Sequence, residues 1–171
     1  MLRVALSDLR AGAVPTEGEI AAGDPLFAAD QVTLIAPVVV RGRISRAGEG
    51  QYYWRGSFST TIRADCRRCL VPVEVPVAEK FGLVFATDPS ATEGEGYYLV
   101  PARAQDLDLR EALREELLLA LPQFVECRPD CQGLCPTCGA NLNEGPCACG
   151  RAPDPRWDAL RALAKPDEPK D

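Results

Sequence analysis

Eight cysteines and no histidine define what this chain can do chemically. Six of the eight lie in "CRPDCQGLCPTCGANLNEGPCAC", from Cys127 to Cys149, and the other two form "CRRC" at Cys66 and Cys69. "CPTCG" has the spacing of a zinc knuckle: the thiolates of Cys135 and Cys138 stand two residues apart, and Gly139 lets the backbone turn beneath the metal. Cys147 and Cys149 return after a loop of small and turn-forming residues. Four thiolates that close in sequence can surround one tetrahedral zinc at about 2.3 Å per sulfur. The segment has almost no core of its own, because Leu134 and Leu142 are its only large aliphatic residues. Zinc binding worth on the order of 10–16 kcal/mol can order what burial cannot.

Cys66, Cys69, Cys127 and Cys131 remain, and a second zinc requires these two distant pairs to meet. Other readings stay open: CxxC also fits a redox dithiol, and the four can stay unligated. Cys131 can also join Cys135 and Cys138, leaving Cys147 or Cys149 outside. One zinc is expected, and a second if the pairs converge. A closed set of four thiolates leaves no open position for water, so such sites read as structural.

The missing imidazole removes Ser-His and Cys-His nucleophile pairs and every histidine zinc site. Paired carboxylates, Gly-rich phosphate loops and Walker patterns are absent too, so the chain reads as a non-enzyme with no small-molecule substrate. No apolar run reaches the roughly 18 residues of a membrane span. The start, "MLRVALSDLRAG", is interrupted by Arg3 and Asp8 and lacks a signal-peptide h-region. These features point to the cytoplasm, where thiols stay reduced and disulfides are a poor explanation for the cysteines.

The elements that must position the thiols read as an α+β fold: an antiparallel β-meander packed by one main helix, with a C-terminal Cys-rich zinc-binding appendage. "LRVAL" (2–6) suits a short first strand, and residues 7–31 read as loop. Alternation of apolar and polar residues predicts strands over 32–46 and 51–65, joined as a hairpin by "AGEG" (47–50). A third strand spans 71–86, where Pro72 and Pro76 suggest an edge or a bulge. An acidic loop, 87–96, precedes a short strand at "YYLVP" (97–101). A helix is predicted over 108–121, capped by Asp108 with Glu111 three residues on. Residues 1–124 thus form the α+β domain, 125–150 the Cys-rich segment, and 151–171 a short helix capped by Asp154 followed by a disordered tail. Trp157, Leu160, Leu163 and Ala164 would share one side of that helix.

The net charge is −6, yet residues 41–68 hold seven arginines against only Glu49 and Asp65. On the hairpin, Arg41, Arg43, Tyr53, Arg55 and Arg63 take odd positions opposite the apolar set, so they share the outer face if the other face is core. Guanidinium forks suit phosphates, and Tyr53 suits stacking on an unpaired base. Arg67 and Arg68 would carry this face towards the first cysteine pair. The competing reading is a solvated face whose arginines discourage edge pairing.

"ADCRRCL", then "LREELLLALP", then the cluster from Cys127 to Cys149, in that order and spacing, closely resemble the YceD family of bacteria and plastids. The resemblance covers roughly residues 30–150 and makes Cys66, Cys69 and the Cys127–Cys149 cluster family signature positions. It implies a role in 23S ribosomal RNA accumulation or maturation and in assembly of the large ribosomal subunit, without catalysis. Two readings follow. The chain is a zinc-stabilised assembly factor touching ribosomal RNA or a large-subunit ribosomal protein. Alternatively, it is a protein-interaction module that binds a basic ribosomal protein without RNA contact, through the acidic loop and Glu115 and Glu116. A thiol oxidoreductase using Cys66 and Cys69 is a third, weaker idea.

Overall fold

The structure is a computed structural model, which describes residues 2–88 and 97–150 and, beyond them, residues 155–157, 160 and 163. Strands β1 (Arg3–Ala5), β2 (Val14–Ile20), β3 (Thr33–Leu34), β4 (Val38–Gly48), β5 (Gln51–Asp65), β6 (Pro72–Ala86), β7 (Tyr97–Leu99) and β8 (Asp106–Asp108) precede helix α1 (Arg110–Leu119). The main sheet runs in the order β2-β4-β5-β6-β7, with β3 also paired to β5, while β1 and β8 form a separate antiparallel pair. The molecule is therefore α+β.

Period-2 alternation makes one face of the long strands apolar. Val38, Val40, Ile44, Trp54, Phe58, Ile62, Phe81, Leu83 and Phe85 are buried in one cluster with Leu109, Ala112, Leu113 and Leu117 of the helix region. Burying each such side chain contributes about 1.5–3 kcal/mol. Trp54 sits at the centre, its ring centroid 4.4 Å from that of Phe81. Its indole N–H donates to Thr16 Oγ1 at 2.8 Å, so the one polar atom of this side chain is satisfied inside the core.

Four sequence expectations need correction. Residues 7–31 are not all loop: Val14–Ile20 pairs antiparallel with β4. Its inward positions are Val14, Thr16, Gly18 and Ile20, and Pro15 stands among the outward ones, so the apolar signal is too thin to read as a strand. The strand expected over 32–46 is two, interrupted around Pro37, with Thr33–Leu34 pairing β5 at Arg63 and Ile62. The sheet is not a pure antiparallel meander, because β7 lies parallel to β6. Helix α1 starts at Arg110 rather than 108, and Asp108 is not its N-cap. Asp108 is held in β8 opposite Arg3, and its carboxylate accepts the Arg110 N–H at 3.0 Å from outside the helix. Glu111 pairs with Arg114 instead of closing a capping box.

α1 is fixed to the segment after β2 by two ion pairs, Arg110–Asp24 at 2.7 Å and Arg114–Asp30, whose Nε bond is 2.8 Å. The Arg114 guanidinium, hydrogen-bonded to Asp30, holds that carboxyl below its ordinary range. The Tyr98 hydroxyl donates to Glu115 of the helix at 2.7 Å; burial and that carboxylate raise its pKa. Asp154 and Ala164 lie outside the described residues. Trp157, Leu160 and Leu163 are exposed. Among the described residues no helix is long and apolar enough to cross a membrane.

Candidate metal centres and the basic sheet face

"CRRC" is the turn between β5 and β6. Leu70 N–H bonds to the Cys66 carbonyl and Cys66 N–H to the Val71 carbonyl, each at 2.9 Å, which folds the chain under the two sulfurs. This turn requires a left-handed residue after its second cysteine. Gly139 takes that place in "CPTCG" with φ 74°, whereas here Leu70 holds φ 60° and is 60% exposed. A left-handed conformation costs a side-chain-bearing residue about 1–2 kcal/mol.

Past the helix, the chain returns to the same end of the sheet. Arg67 N–H donates to the Val125 carbonyl at 2.8 Å. The Arg67 side chain reaches Glu126 at 2.6 Å and lies 5.1 Å over the Phe124 ring. Arg68 donates to the Cys131 carbonyl at 2.6 Å. These contacts bring Cys127 and Cys131 onto Cys66 and Cys69. Cys66 Sγ stands 3.9 Å from Cys131 Sγ, and Cys69 Sγ stands 3.6 Å from Cys127 Sγ. Cys135, Cys138, Cys147 and Cys149 form the second quartet, and within each quartet all sulfurs lie within 4.8 Å of one another.

Both quartets fit a tetrahedral metal ion. Four sulfurs at the zinc–thiolate distance of 2.3 Å stand about 3.8 Å apart, close to the spacings found here, and all eight thiols are free. Protonation points the same way. Burial alone would raise the Cys66 thiol, but backbone N–H groups of Arg68, Cys127 and Cys69 outweigh it and hold the group down at about 6. Burial and hydrogen bonds with Cys131, Cys69 and Cys66 push Cys127 up to about 12. In the other quartet the N–H groups of Cys138 and Thr137 bring Cys135 to about 6. The Cys138 sulfur, burial and neighbouring charge drive Cys149 to about 12. Each quartet thus gives up protons easily at one sulfur and resists at another, because negative charge is confined. A bound dication removes that resistance.

Two residues brace the quartets without a signal in the sequence, Asn143 linking one quartet to the other and Glu126 linking the two halves of the first. Asn143, in the loop between Cys138 and Cys147, donates Nδ2–H to Cys131 Sγ at 3.4 Å and accepts from Gln132 N–H at 2.8 Å. Glu126 receives both Arg67 and Arg68. Among the described residues, the partly buried apolar side chains packed on the cluster of Cys66, Cys69 and Cys131 are Val71, Val73 and Leu134.

The outer sheet face holds the expected basic residues, with different partners. Arg43 lies directly opposite Arg55, and Arg41 opposite Ser57, across β4 and β5. Lys80 of β6, which sequence reasoning missed, lies opposite Ser57 from the other side. The ion pairs found among the described residues include none of Arg41, Arg43, Arg55 and Lys80. Glu17 of β2 lies opposite Arg41 and borders this patch. Arg63 instead pairs with Glu74 at 3.7 Å, and Arg67 and Arg68 are drawn to the 126–131 segment.

A mixed sheet whose β5–β6 turn shares one thiol quartet with the segment after the helix, with a second quartet inside that segment and an arginine-lined outer face, is the class of molecule these residues define. The match to known proteins is specific: the model of the family described as "Large ribosomal RNA subunit accumulation protein YceD" covers residues 54–164, including all eight cysteines. The chain belongs to the YceD family. It is 33% identical over 127 residues to an uncharacterized protein of Mycobacterium tuberculosis, covering 73% of this chain and 61% of that one. It is 27% identical over 143 residues to a "Large ribosomal RNA subunit accumulation protein YCED homolog 1, chloroplastic" of Zea mays, covering 66% and 48%. A protein of the same name from Arabidopsis thaliana is 30% identical over 91 residues, covering 47% and 28%. The chain therefore spans less than two thirds of these relatives' length. No solved structure matches.

Proposed function

We propose that the protein is a non-enzymatic factor for 23S ribosomal RNA accumulation and large-subunit assembly, with zinc in both thiol quartets and ribosomal RNA held on the outer sheet face. The zinc ions hold the 125–150 segment as a rigid platform against the end of the sheet. Cys135, Cys138, Cys147 and Cys149 ligate one ion; Cys66, Cys69, Cys127 and Cys131 ligate the other. With four protein ligands, each ion has a structural role.

The Arg43–Arg55 pair carries the RNA reading. Like charges directly opposite each other in a sheet are destabilising, and this pair is flanked by Arg41 and Lys80 instead of by a carboxylate bridge. On the same face, where no ligand is needed, Arg63 has its Glu74. An anion of regular charge spacing resolves the conflict, and the family's name directs the choice to ribosomal RNA. Arg63, Arg67 and Arg68, already engaged within the chain, add charge at the margin.

Replacing Arg41, Arg43 and Arg55 together by Ala tests this reading. Binding to a 23S ribosomal RNA fragment should fall and its salt dependence flatten, while the thermal transition stays in place. Unchanged binding would remove the sheet face from the function. Capture from nuclease-treated lysate addresses the second reading: a basic ribosomal protein retained without RNA would favour a protein-interaction module.

A further inference from the structure

Tyr53 lies on the same outer face as the arginines, two residues before Arg55 on β5 and opposite Ser45 and Val84. Its ring does not stand up from the sheet. A Cβ built on Gly82, diagonal to it on β6, would come 2.5 Å from the Tyr53 hydroxyl oxygen and 3.3 and 3.4 Å from two ring carbons. The ring therefore lies across the bare backbone at Gly82, and only a residue without a side chain leaves that place free. An aromatic covering a glycine in this way protects the backbone. Here it also leaves the residue 39% exposed, held beside cations that form none of the ion pairs found among the described residues.

The arrangement has direction. Tyr53 to Arg55 is one two-residue step along β5, about 6.7 Å. Arg43 is the next strand's neighbour of Arg55, and Arg41 is one step further along β4. Lys80 closes the patch on β6. Arg41, Arg43, Arg55, Ser57 and Lys80 line a shallow depression of about 620 Å³. A flat π surface at one end and a cationic depression at the other match a strand whose bases are unpaired. The bases of a duplex are stacked on one another and have no free face to offer.

Resting on the RNA-binding reading above, we propose that this face takes single-stranded RNA, one base stacked on Tyr53 over Gly82 and the adjoining phosphodiesters on Arg55, Arg43, Arg41 and Lys80. Stacking of this kind is tolerant of base identity, so the site selects strandedness more than sequence.

The test is fluorescence anisotropy with a labelled mixed-sequence 12-nucleotide RNA, alone and annealed to its complement, on the metal-loaded full chain. The single strand should bind more tightly than the duplex. Tyr53→Ala should weaken single-strand binding roughly five- to one-hundred-fold, the range of one base–aromatic stack, with little change for duplex. Tyr53→Phe should retain wild-type affinity. Gly82→Ala should weaken single-strand binding too, because the added methyl lifts the ring while leaving Tyr53 in the chain. Arg43→Gln and Arg55→Gln should weaken both RNAs and each reduce the single-strand salt slope by about 0.7. Equal affinity for the two RNAs, with Tyr53→Ala and Gly82→Ala silent but the arginine variants weakened, overturns the single-strand assignment and leaves the RNA face standing. No binding of either RNA by the wild-type chain overturns both.

Discussion

Asn143 lies in the loop of one thiol quartet and Cys131 belongs to the other, yet the amide of the first is hydrogen-bonded to the sulfur of the second at 3.4 Å. Asn143 can hold this place only while its loop is folded between Cys138 and Cys147. Its carbonyl oxygen is fixed in turn by Arg128, at 2.7 Å, and by the Gln132 N–H. An outer hydrogen bond of this kind typically changes metal affinity by about 10- to 100-fold. Asn143→Ala should therefore lower affinity at the quartet containing Cys131. Thiol alkylation during chelator challenge, read by mass spectrometry, checks it: peptides bearing Cys66 and Cys131 should label earlier than in wild type. Unaltered labelling would show that the amide contact is idle.

Chelation of metal should unfold one part of the molecule and spare another. The main core draws on both sheet and helix, whereas the 127–150 segment has only the small cluster around Cys66, Cys69 and Cys131. Hydrogen exchange after metal removal should show protection lost over 127–150 and kept at Val40 and Phe58. Retained protection in the Cys-rich segment of the metal-free chain would refute the proposed role of zinc.

Leu70→Gly removes a left-handed side-chain-bearing residue from the first knuckle. The relief of about 1–2 kcal/mol is partly offset by roughly 0.5–1 kcal/mol of glycine entropy. The variant should be as stable as wild type, or more stable by up to about 1.5 kcal/mol. Denaturant unfolding of the metal-loaded protein measures it; a clear loss would show that the Leu70 side chain makes a contact worth more than its strain.

Thr16→Val keeps the shape at the centre of the core but strands the Trp54 indole N–H. An unpaired buried donor costs about 1–3 kcal/mol, so urea unfolding should shift by that amount with an unchanged slope. Thr16→Ser should recover most of the loss.

Asp30 provides a pH test. Its carboxyl is held below the ordinary 3.8 by the hydrogen bond from Arg114, so the folded state binds the proton less readily than the unfolded state. The resulting stability is complete above that ordinary value and is lost as pH falls through the lowered one. Asp30→Asn should therefore have a lower melting temperature than wild type near neutral pH, and the two should converge on acidification. A gap that persists unchanged in strong acid would mean that the Arg114 pair contributes nothing through charge.

What could be read from the sequence was periodic or local. Odd positions from Arg41 to Arg63 share a face because strands alternate, and that parity survives any error at strand ends. The cysteine spacing likewise carried its own geometry. Lys80 escaped notice because its patch exists only once β6 is in register beside Ser57. Asn143, Glu126 and Gly82 escaped for the same reason: each matters through a residue distant in sequence. The strand at 14–20 was lost where its inward positions include Thr16 and Gly18, which make no apolar stripe, although Thr16 answers the one polar atom of Trp54.

The contact between Cys66 and Cys131 joins positions 65 residues apart. With an ion bridging them, everything from β6 through α1 becomes a closed lasso. Force applied to the two ends of the chain would then travel through the clip and bypass the lassoed elements. The elements inside the loop would stay slack under that force until the ion is released.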